Sequence, residues 1–317
     1  MTNDLPNPAQ PLKIGTRGSP LALAQAYETR ARLMAAFDLS DDAFEIVVIK
    51  TSGDDRVLID ADRPLKEIGN KGLFTKEIEE AMLDGFIDIA VHSMKDMPVE
   101  QPAGLLLDTY LPREDVRDAF VSPHHAALAD LPEGAIVGTS SLRRRAQLLS
   151  RRPDLNVVEF RGNVQTRLRK LNDGVAQATF LAMAGLNRLG MDDVPCCAIE
   201  VDDMLPAVAQ GAIGIERRAD DTRARDMLAA IHDGVTAQRL AAERAFLAAL
   251  DGSCETPIGA LAELDGDMLR LRGEILRPDG SACYSDAAEG AIADGPKIGR
   301  AMAARLLAQA GPDFFKA

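Results

Sequence analysis

The chain has 317 residues, of which 46% are apolar and 27% charged, with a formal net charge of −13. At about 150 residues per domain that length predicts two domains with room for a smaller third, and the composition excludes a disordered, collagenous or coiled-coil chain. The acidic balance argues against nucleic acid as a partner.

The apolar runs, such as Ala178–Leu186, fall short of the ~18 residues that cross a bilayer. The first residues, MTNDLPNPAQPLK, lack the basic and apolar regions of a signal peptide, so a cytoplasmic protein with no membrane partner is expected. Cysteines at 196, 197, 254 and 283 match no zinc spacing, and the four histidines have no ligand spacing, so no metal is expected. Gly15-x-x-Gly18 is too short for a dinucleotide fingerprint and no P-loop is present, so no nucleotide is expected either.

Apolar runs suited to strands alternate with stretches of helical period, which predicts an α/β fold. Leu12–Thr16 reads as a strand, and Ser19-Pro20 supplies an N-cap and a first-turn proline for a helix through about Ala36. Phe44–Thr51 is strand-like, Leu73–Leu83 helical and Ile87–His92 a strand. The polar stretch Ser52–Gly72 has no clear period and is expected to be a lid.

A second unit starts near Arg117. Ala135–Thr139, Asn156–Arg161 and Ala178–Ala182 read as strands, and Ser141–Arg151 and Val164–Asn172 as helices. Ile14-Gly15-Thr16 before a Ser-led helix recurs as Val137-Gly138-Thr139 before Ser140-Ser141 and a helix. The echo suggests two similar lobes facing a cleft, with helix N-termini serving as anion sites. Further on, Val235–Leu250 is a strong helix. Ile258–Glu263, Met268–Leu276 and Ser281–Ser285 form a small antiparallel sheet turned at Asp265-Gly266 and Pro278-Asp279-Gly280, and Lys297–Gln309 is a closing helix.

The charge is unevenly spread. Between Thr139 and Gly190 ten basic residues, nine of them Arg, face three acidic ones, a local net charge of +7. Arg is the side chain suited to two-pronged binding of carboxylate or phosphate. Thr139-Ser140-Ser141-Leu142-Arg143-Arg144 joins hydroxyls, a helix start and guanidiniums, and Arg161-Gly162-Asn163 repeats the arrangement with Arg167 a turn further on. The arrangement reads as an anion cradle or as a basic solvated face. Nucleic acid is disfavoured because aromatic residues for stacking make up only 4% of the chain.

His92-Ser93-Met94-Lys95-Asp96 follows a buried strand, where open α/β sheets place ligands. Asp96 beside Lys95 reads as an acid/base or counterion, or as a surface ion pair. Cys254, in Gly252-Ser253-Cys254-Glu255-Thr256-Pro257, reads as a nucleophile or attachment point, or as a small buried hydrophobe.

Together these motifs resemble the porphobilinogen deaminase family, the hydroxymethylbilane synthases. The likeness runs in order from Thr16-Arg17-Gly18-Ser19-Pro20 through Thr51-Ser52-Gly53-Asp54, Gly72-Leu73-Phe74, Val91–Asp96, Gly138–Arg144 and Arg161–Val164. It continues through Ala184–Gly190 and Gln210–Glu216 to Gly252–Gly259.

The resemblance implies two periplasmic-binding-protein-like α/β lobes around a cleft plus a small α+β C-terminal domain, with boundaries 12–111 and 212–229, 117–205, and 234–317. It implies a transferase that condenses four porphobilinogen molecules head to tail, with loss of ammonia, into hydroxymethylbilane for porphyrin biosynthesis. Cys254 would hold a dipyrromethane cofactor through a thioether. Asp96, with Lys95, would be catalytic and stabilise the charge left as ammonia departs. Arg143, Arg144, Lys95, Ser93, Thr139, Ser141, Asp96, Arg161 and Gly162 would bind the cofactor. Arg17, Ser19, Arg161, Arg167, Arg188 and Gln210 would bind substrate, Ser140 would assist, and Asp54 and Phe74 would belong to the lid. A monomer is implied by the same resemblance.

The rival reading is a non-catalytic two-lobed binder of an organic anion, for which the third domain and Cys254 have no use. Arg145 and the Cys196-Cys197 pair have no assigned role, and Gln177-Ala178-Thr179-Phe180 departs from the family's usual Asp-led strand entry.

Overall fold

The computed structural model describes residues 5–51, 75–252, 256–311 and 314–315. The expected lid at Ser52–Gly72 with its Asp54, as well as Phe74 and Cys254, lies outside the described residues. In chain order the elements are β1 (Leu12–Thr16), α1 (Pro20–Phe37), β2 (Phe44–Val48), α2 (Lys76–Leu83), β3 (Ile89–Ser93), β4 (Leu105–Tyr110), β5 (Asp118–Val121), β6 (Ile136–Gly138) and α3 (Leu142–Arg151). They continue with β7 (Asn156–Val158), α4 (Val164–Asn172), β8 (Ala178–Ala182), α5 (Met183–Arg188), β9 (Cys196–Ala198), β10 (Ile213–Arg218), α6 (Thr222–Ala229), α7 (Gly234–Ala249), β11 (Ile258–Asp265), β12 (Met268–Leu276), β13 (Cys283–Ala291) and α8 (Gly295–Ala310).

Contacts divide the chain into two units. Of the described residues, the first comprises 5–51, 75–114 and 212–237, and the second 115–211, 238–252, 256–311 and 314–315.

The first unit is built on a five-stranded sheet of order β2-β1-β3-β10-β4. β1 runs parallel to β2 and β3, and β10 antiparallel to β3 and β4. Leu12, Ile14, Ile89, Val91, Ile213 and Ile215 pack with Ala26 and Leu33 of α1 and Leu228 of α6. Ala90 and Leu105 pack with Ile78 and Met82 of α2 and with Ile87. A sheet with apolar residues on both faces needs helices on both sides, and the alternation of strands and helices supplies them.

The second unit repeats that plan in a sheet of order β7-β6-β8-β5-β9. β6 is parallel to β7 and β8, and β5 is antiparallel to β8 and β9. The two sheets share one order: second strand, first strand, third strand, an antiparallel strand, then an edge. Only the origin of the antiparallel strand differs, since β10 comes last in its unit and β5 first. The echo at Ile14-Gly15-Thr16 and Val137-Gly138-Thr139 therefore falls on equivalent strands, β1 and β6. Its glycines leave little room for a side chain. A Cβ on Gly15 would lie 2.3 Å from Ile87 Cδ1, and one on Gly138 would lie 2.4 Å from the Phe160 ring.

The C-terminal part is α+β. β11, β12 and β13 form an antiparallel meander, with Asp265 paired to Met268 across a turn in which Gly266 has φ +55°. Phe246 of α7 and Met302 of α8 are buried beside Gly273 of β12. β13 runs to Ala291, well past the expected Ser285. Its Ala, Ser, Asp and Gly residues have weak strand preference, but each pairs in register with β12. β2 stops at Val48 rather than Thr51, with Ile49 N donating to Thr16 O as a last rung.

Gly299 on α8 lies where a Cβ would sit 2.4 Å from Ala242 O and 2.9 Å from Phe246 N of α7. Those neighbours are helix backbone and cannot swing aside. Gly299→Ala should therefore destabilise the protein by about 1–3 kcal/mol in urea unfolding, by forcing the two helices apart.

Candidate active site

In each five-stranded sheet the polar residues gather at the C-terminal ends of the parallel strands. In the first unit β1 ends at Thr16 and delivers Arg17, Gly18 and Ser19 to the start of α1. Ser19 Oγ accepts from Ala22 N at 3.3 Å, and Thr16 Oγ1 donates to Ala22 O at 3.2 Å. The neighbouring β3 ends at Ser93 and passes into a single 3-10 turn, Met94–Asp96, which carries Lys95 and Asp96. Met94 N donates to Ala212 O at 3.0 Å and anchors that turn to the start of β10. Ser93 Oγ lies 2.9 Å from Gln25 Nε2 and 3.0 Å from Gln25 Oε1, which ties α1 to the end of β3. Arg17, Ser19, Ser93, Lys95 and Asp96 are all partly exposed, so the strand ends present them as a group.

A buried ionisable cluster supports this edge from within. His92 Nε2 is 3.1 Å from Glu216 Oε2, and the two side chains are 5% and 0% exposed. Burial, foremost, and the nearby Glu216 carboxylate push the Glu79 carboxyl above its ordinary range.

In the second unit, β6 ends in Thr139-Ser140-Ser141 at the start of α3. Ser141 Oγ caps α3 by accepting from Arg144 N, Thr139 Oγ1 accepts from Ser141 N at 3.2 Å, and Ser140 Oγ accepts from Phe160 N at 2.9 Å. A hydroxyl that accepts a backbone N–H can still donate its own proton. The adjacent strand β7 leads to Arg161, which is buried, and to Gly162 at φ +118°. Asn163 caps α4 through Thr166 N at 2.9 Å, and Arg167 Nε donates to Gly162 O at 2.9 Å. Arg188, at the end of α5, donates from Nη2 to Gly211 O at 3.0 Å.

Arg143 and Arg144 are deep in the unit, each 4% exposed, and both are held by a carboxylate that the sequence reading did not single out. Asp118, wholly buried, accepts from Arg143 Nη1 at 2.7 Å on Oδ2, and from Arg144 Nη2 at 2.7 Å and Nε at 3.0 Å on Oδ1. Gln210 Nε2 donates to the same Oδ1 at 3.0 Å and to Val116 O at 2.8 Å, so its amide serves Asp118 from a buried position. Arg144 Nη1 reaches Phe180 O at 2.8 Å. Burial disfavours the Asp118 charge, but the two guanidiniums outweigh it and hold the carboxyl well below its ordinary range. The Nε of Arg143 is buried with no partner among the described residues. The signal that could have found Asp118 is an acid leading the apolar run Asp118-Ala119-Phe120-Val121, since a carboxylate on a buried strand demands a cation.

Both flanks of Cys254 are pinned. Gly252 N donates to Leu247 O at 3.0 Å, and Leu276 N donates to Pro257 O at 3.0 Å. Among the described residues no three His, Cys, Asp or Glu side chains are grouped to hold a metal. No described helix is long and apolar enough to cross a membrane.

Fold and site define a class: an α/β protein of two like sheets, whose strand ends carry arginines and hydroxyls, with an α+β appendage. Residues 12–226 match the family model of the porphobilinogen deaminase dipyromethane cofactor binding domain, and residues 237–308 match that of the porphobilinogen deaminase C-terminal domain. The porphobilinogen deaminase of Paracoccus denitrificans (strain Pd 1222) is 68% identical over 311 residues, covering 98% of each chain. That of Nitrobacter winogradskyi is 55% identical over 302 residues, covering 95% of this chain and 94% of its own. Among solved structures, an ABC-transporter periplasmic substrate-binding protein from Coxiella burnetii aligns with TM-score 0.42 and 15% identity, over 71% of this chain and 93% of its own. The chain belongs to the porphobilinogen deaminase family and carries that family's cofactor-binding domain.

Asp118→Asn keeps the side-chain shape but leaves two buried guanidiniums facing a neutral amide. The expected loss is about 3–5 kcal/mol in denaturant unfolding. Because the folded-state pKa of Asp118 lies below its ordinary 3.8, its stabilisation is complete above that value and fades as pH falls through the depressed one. The stability gap between wild type and variant should therefore stay constant from about pH 5 to 8 and close in acid.

Proposed function

We propose that the chain condenses four porphobilinogen molecules head to tail, releasing one ammonia at each addition, to give hydroxymethylbilane, and that Cys254 carries the dipyrromethane cofactor through a thioether. The reading rests above all on the arginines of the second unit. In a chain of net charge −13, Arg143, Arg144, Arg161 and Arg167 all lie at or within a turn of strand-to-helix junctions of one unit. A pyrrole bearing acetate and propionate brings two carboxylates, so a bound chain of up to six rings brings about a dozen charges, each best met by a charge-assisted hydrogen bond.

The residues present fit the cofactor. The buried, unpartnered Nε of Arg143 is a donor in want of an acceptor, and a carboxylate is the acceptor that suits a guanidinium. Arg143, Arg144, Arg161, Lys95, Thr139 and Ser141 would hold the cofactor's acid groups, with Ser93, Ser140 and Gly162 at the same strand ends. When bound, the dipyrromethane supplies the nucleophilic pyrrole carbon from which the product grows.

Arg17, Ser19, Arg167 and Arg188 bind the carboxylates of incoming substrate, and Gln210 acts through the Asp118 cluster. Asp96 accepts hydrogen bonds from pyrrole N–H groups and offsets the positive charge on the substrate's methylene carbon as the amine leaves. A fixed carboxylate at the site of developing charge is worth most where water is excluded. Lys95 beside it binds an acid group. We further place the protein in the cytoplasm as a monomer, with no nucleic-acid partner.

Intact-mass measurement of the purified protein should show an adduct of two linked pyrroles, mapping to the Cys254 peptide. Added porphobilinogen should extend it as a ladder. Cys254→Ser should fold, carry no covalent pyrrole and lack turnover. Asp96→Asn should lower kcat by about 100-fold or more. Normal turnover by the Cys254→Ser protein would refute the reading.

A further inference from the structure

Gln147 lies on α3 one turn beyond Arg143, is fully buried, and has every polar side-chain atom engaged. Its Oε1 accepts from Arg143 Nη1 at 2.9 Å, and its Nε2 donates to Leu205 O at 2.9 Å and to Glu274 Oε1 at 2.9 Å. Arg143 Nη1 also donates to Leu205 O at 2.9 Å, which closes a ring of contacts. Glu274 is itself buried, on β12, with Arg151 of α3 3.7 Å from its Oε2.

The partner strand β11 passes directly against this amide. Gly259, paired with Glu274 and five places after Cys254 in the chain, would carry a Cβ 3.3 Å from Gln147 Nε2 and 3.1 Å from Leu205 O. One residue on, Ala260 N donates to Pro206 O at 3.0 Å. No other side chain of this length accepts from a guanidinium and donates to a carboxylate at once. Glutamate would meet Glu274 with like charge, and methionine would leave both partners unmet.

We infer that Gln147 is a positioning residue: through Arg143 on one side and Glu274 on the other, it sets the strand that follows the cofactor cysteine in register with the arginine that receives the cofactor's acid group. The inference rests on the proposed roles of Cys254 and Arg143. It assigns Gln147 no contact with substrate. Its effect is on how much of the chain becomes loaded and how fast a loaded chain turns over, since a misplacement of about 1 Å costs as much as 100-fold in rate.

The test uses the full-length protein and four variants or forms: wild type, Gln147→Met, Gln147→Glu, and Gln147→Glu combined with Glu274→Gln. Intact mass gives the fraction carrying the dipyrromethane adduct, steady-state kinetics give kcat and KM, and thermal melting gives stability. Both single variants should show a loaded fraction reduced several-fold and kcat reduced by about 10-fold or more, with KM for porphobilinogen within about 3-fold of wild type. The double variant re-creates a donor facing an acceptor with the ends exchanged, and should recover loading and kcat to within about 3-fold of wild type. Should Gln147→Glu fail to fold, Gln147→Met decides the matter alone. A Gln147→Met protein that melts earlier yet loads and turns over as wild type overturns the inference, as does a folded single variant that the second substitution leaves unimproved. A wild-type protein with no adduct and no turnover instead overturns the proposed function on which the inference stands.

Discussion

Two adjacent arginines can be buried only if an anion is buried with them, and much of the second unit follows from that constraint. Asp118 stands at the start of β5 and binds Arg143 and Arg144 of α3, while Gln210 completes its shell. From there the contacts spread outward. Arg144 reaches the backbone of β8, and Arg143 reaches the Leu205 carbonyl and Gln147, which in turn meets β12. A strand, a helix, the 205–210 segment and the C-terminal sheet are thus fixed around one carboxylate. Such a cluster adds little net stability compared with apolar packing, but the loss of one member is costly because the other charges remain. What it supplies is orientation, with both guanidiniums fixed by the protein itself.

The composition makes sense in the same terms. A family that handles pyrroles bearing two carboxylates needs many fixed cations, and a chain of net charge −13 concentrates them between residues 139 and 190. Arg suits such a task better than Lys because its planar fork can meet two acceptors at once. The hydroxyls are used just as economically. Thr139, Ser140 and Ser141 each satisfy a backbone N–H at a helix or strand end and still hold a proton to donate.

Local features were legible because their physics is local. Ser19 caps α1 as its position before Pro20 suggested, and Ser141 and Asn163 cap α3 and α4 by the same local rule, a side-chain oxygen three residues before a free N–H. The Gly-Thr echo on β1 and β6 pointed to two like sheets, and the sheet orders agree. Strands β4, β5, β9 and β10 have no clear signal in the sequence. β4, β5 and β10 carry charges within apolar runs, such as Asp118 and Glu216, whose partners lie elsewhere in the chain, and β9 is only three residues long. The far half of β13 has no strand signal of its own because its small and polar residues are held by pairing with β12 rather than by their own preference.

The site divides in the same way. Arg143, Arg161, Asp96 and Lys95 could be proposed from sequence because motif and strand-end position identify them. The acid leading the apolar run at Asp118 signals that a cation must meet it but not which one, because Asp118 meets Arg143 across 25 residues and Gln147 meets Glu274 across 127, and no local pattern encodes such a meeting. The sequence by itself determined the alternation of strands and helices, the caps, the charge inversion and the family motifs, all set by neighbours within a few residues. Tertiary structure alone decided which arginines are buried and what holds them, because a charge leaves water only where distant parts of the chain bring it a partner.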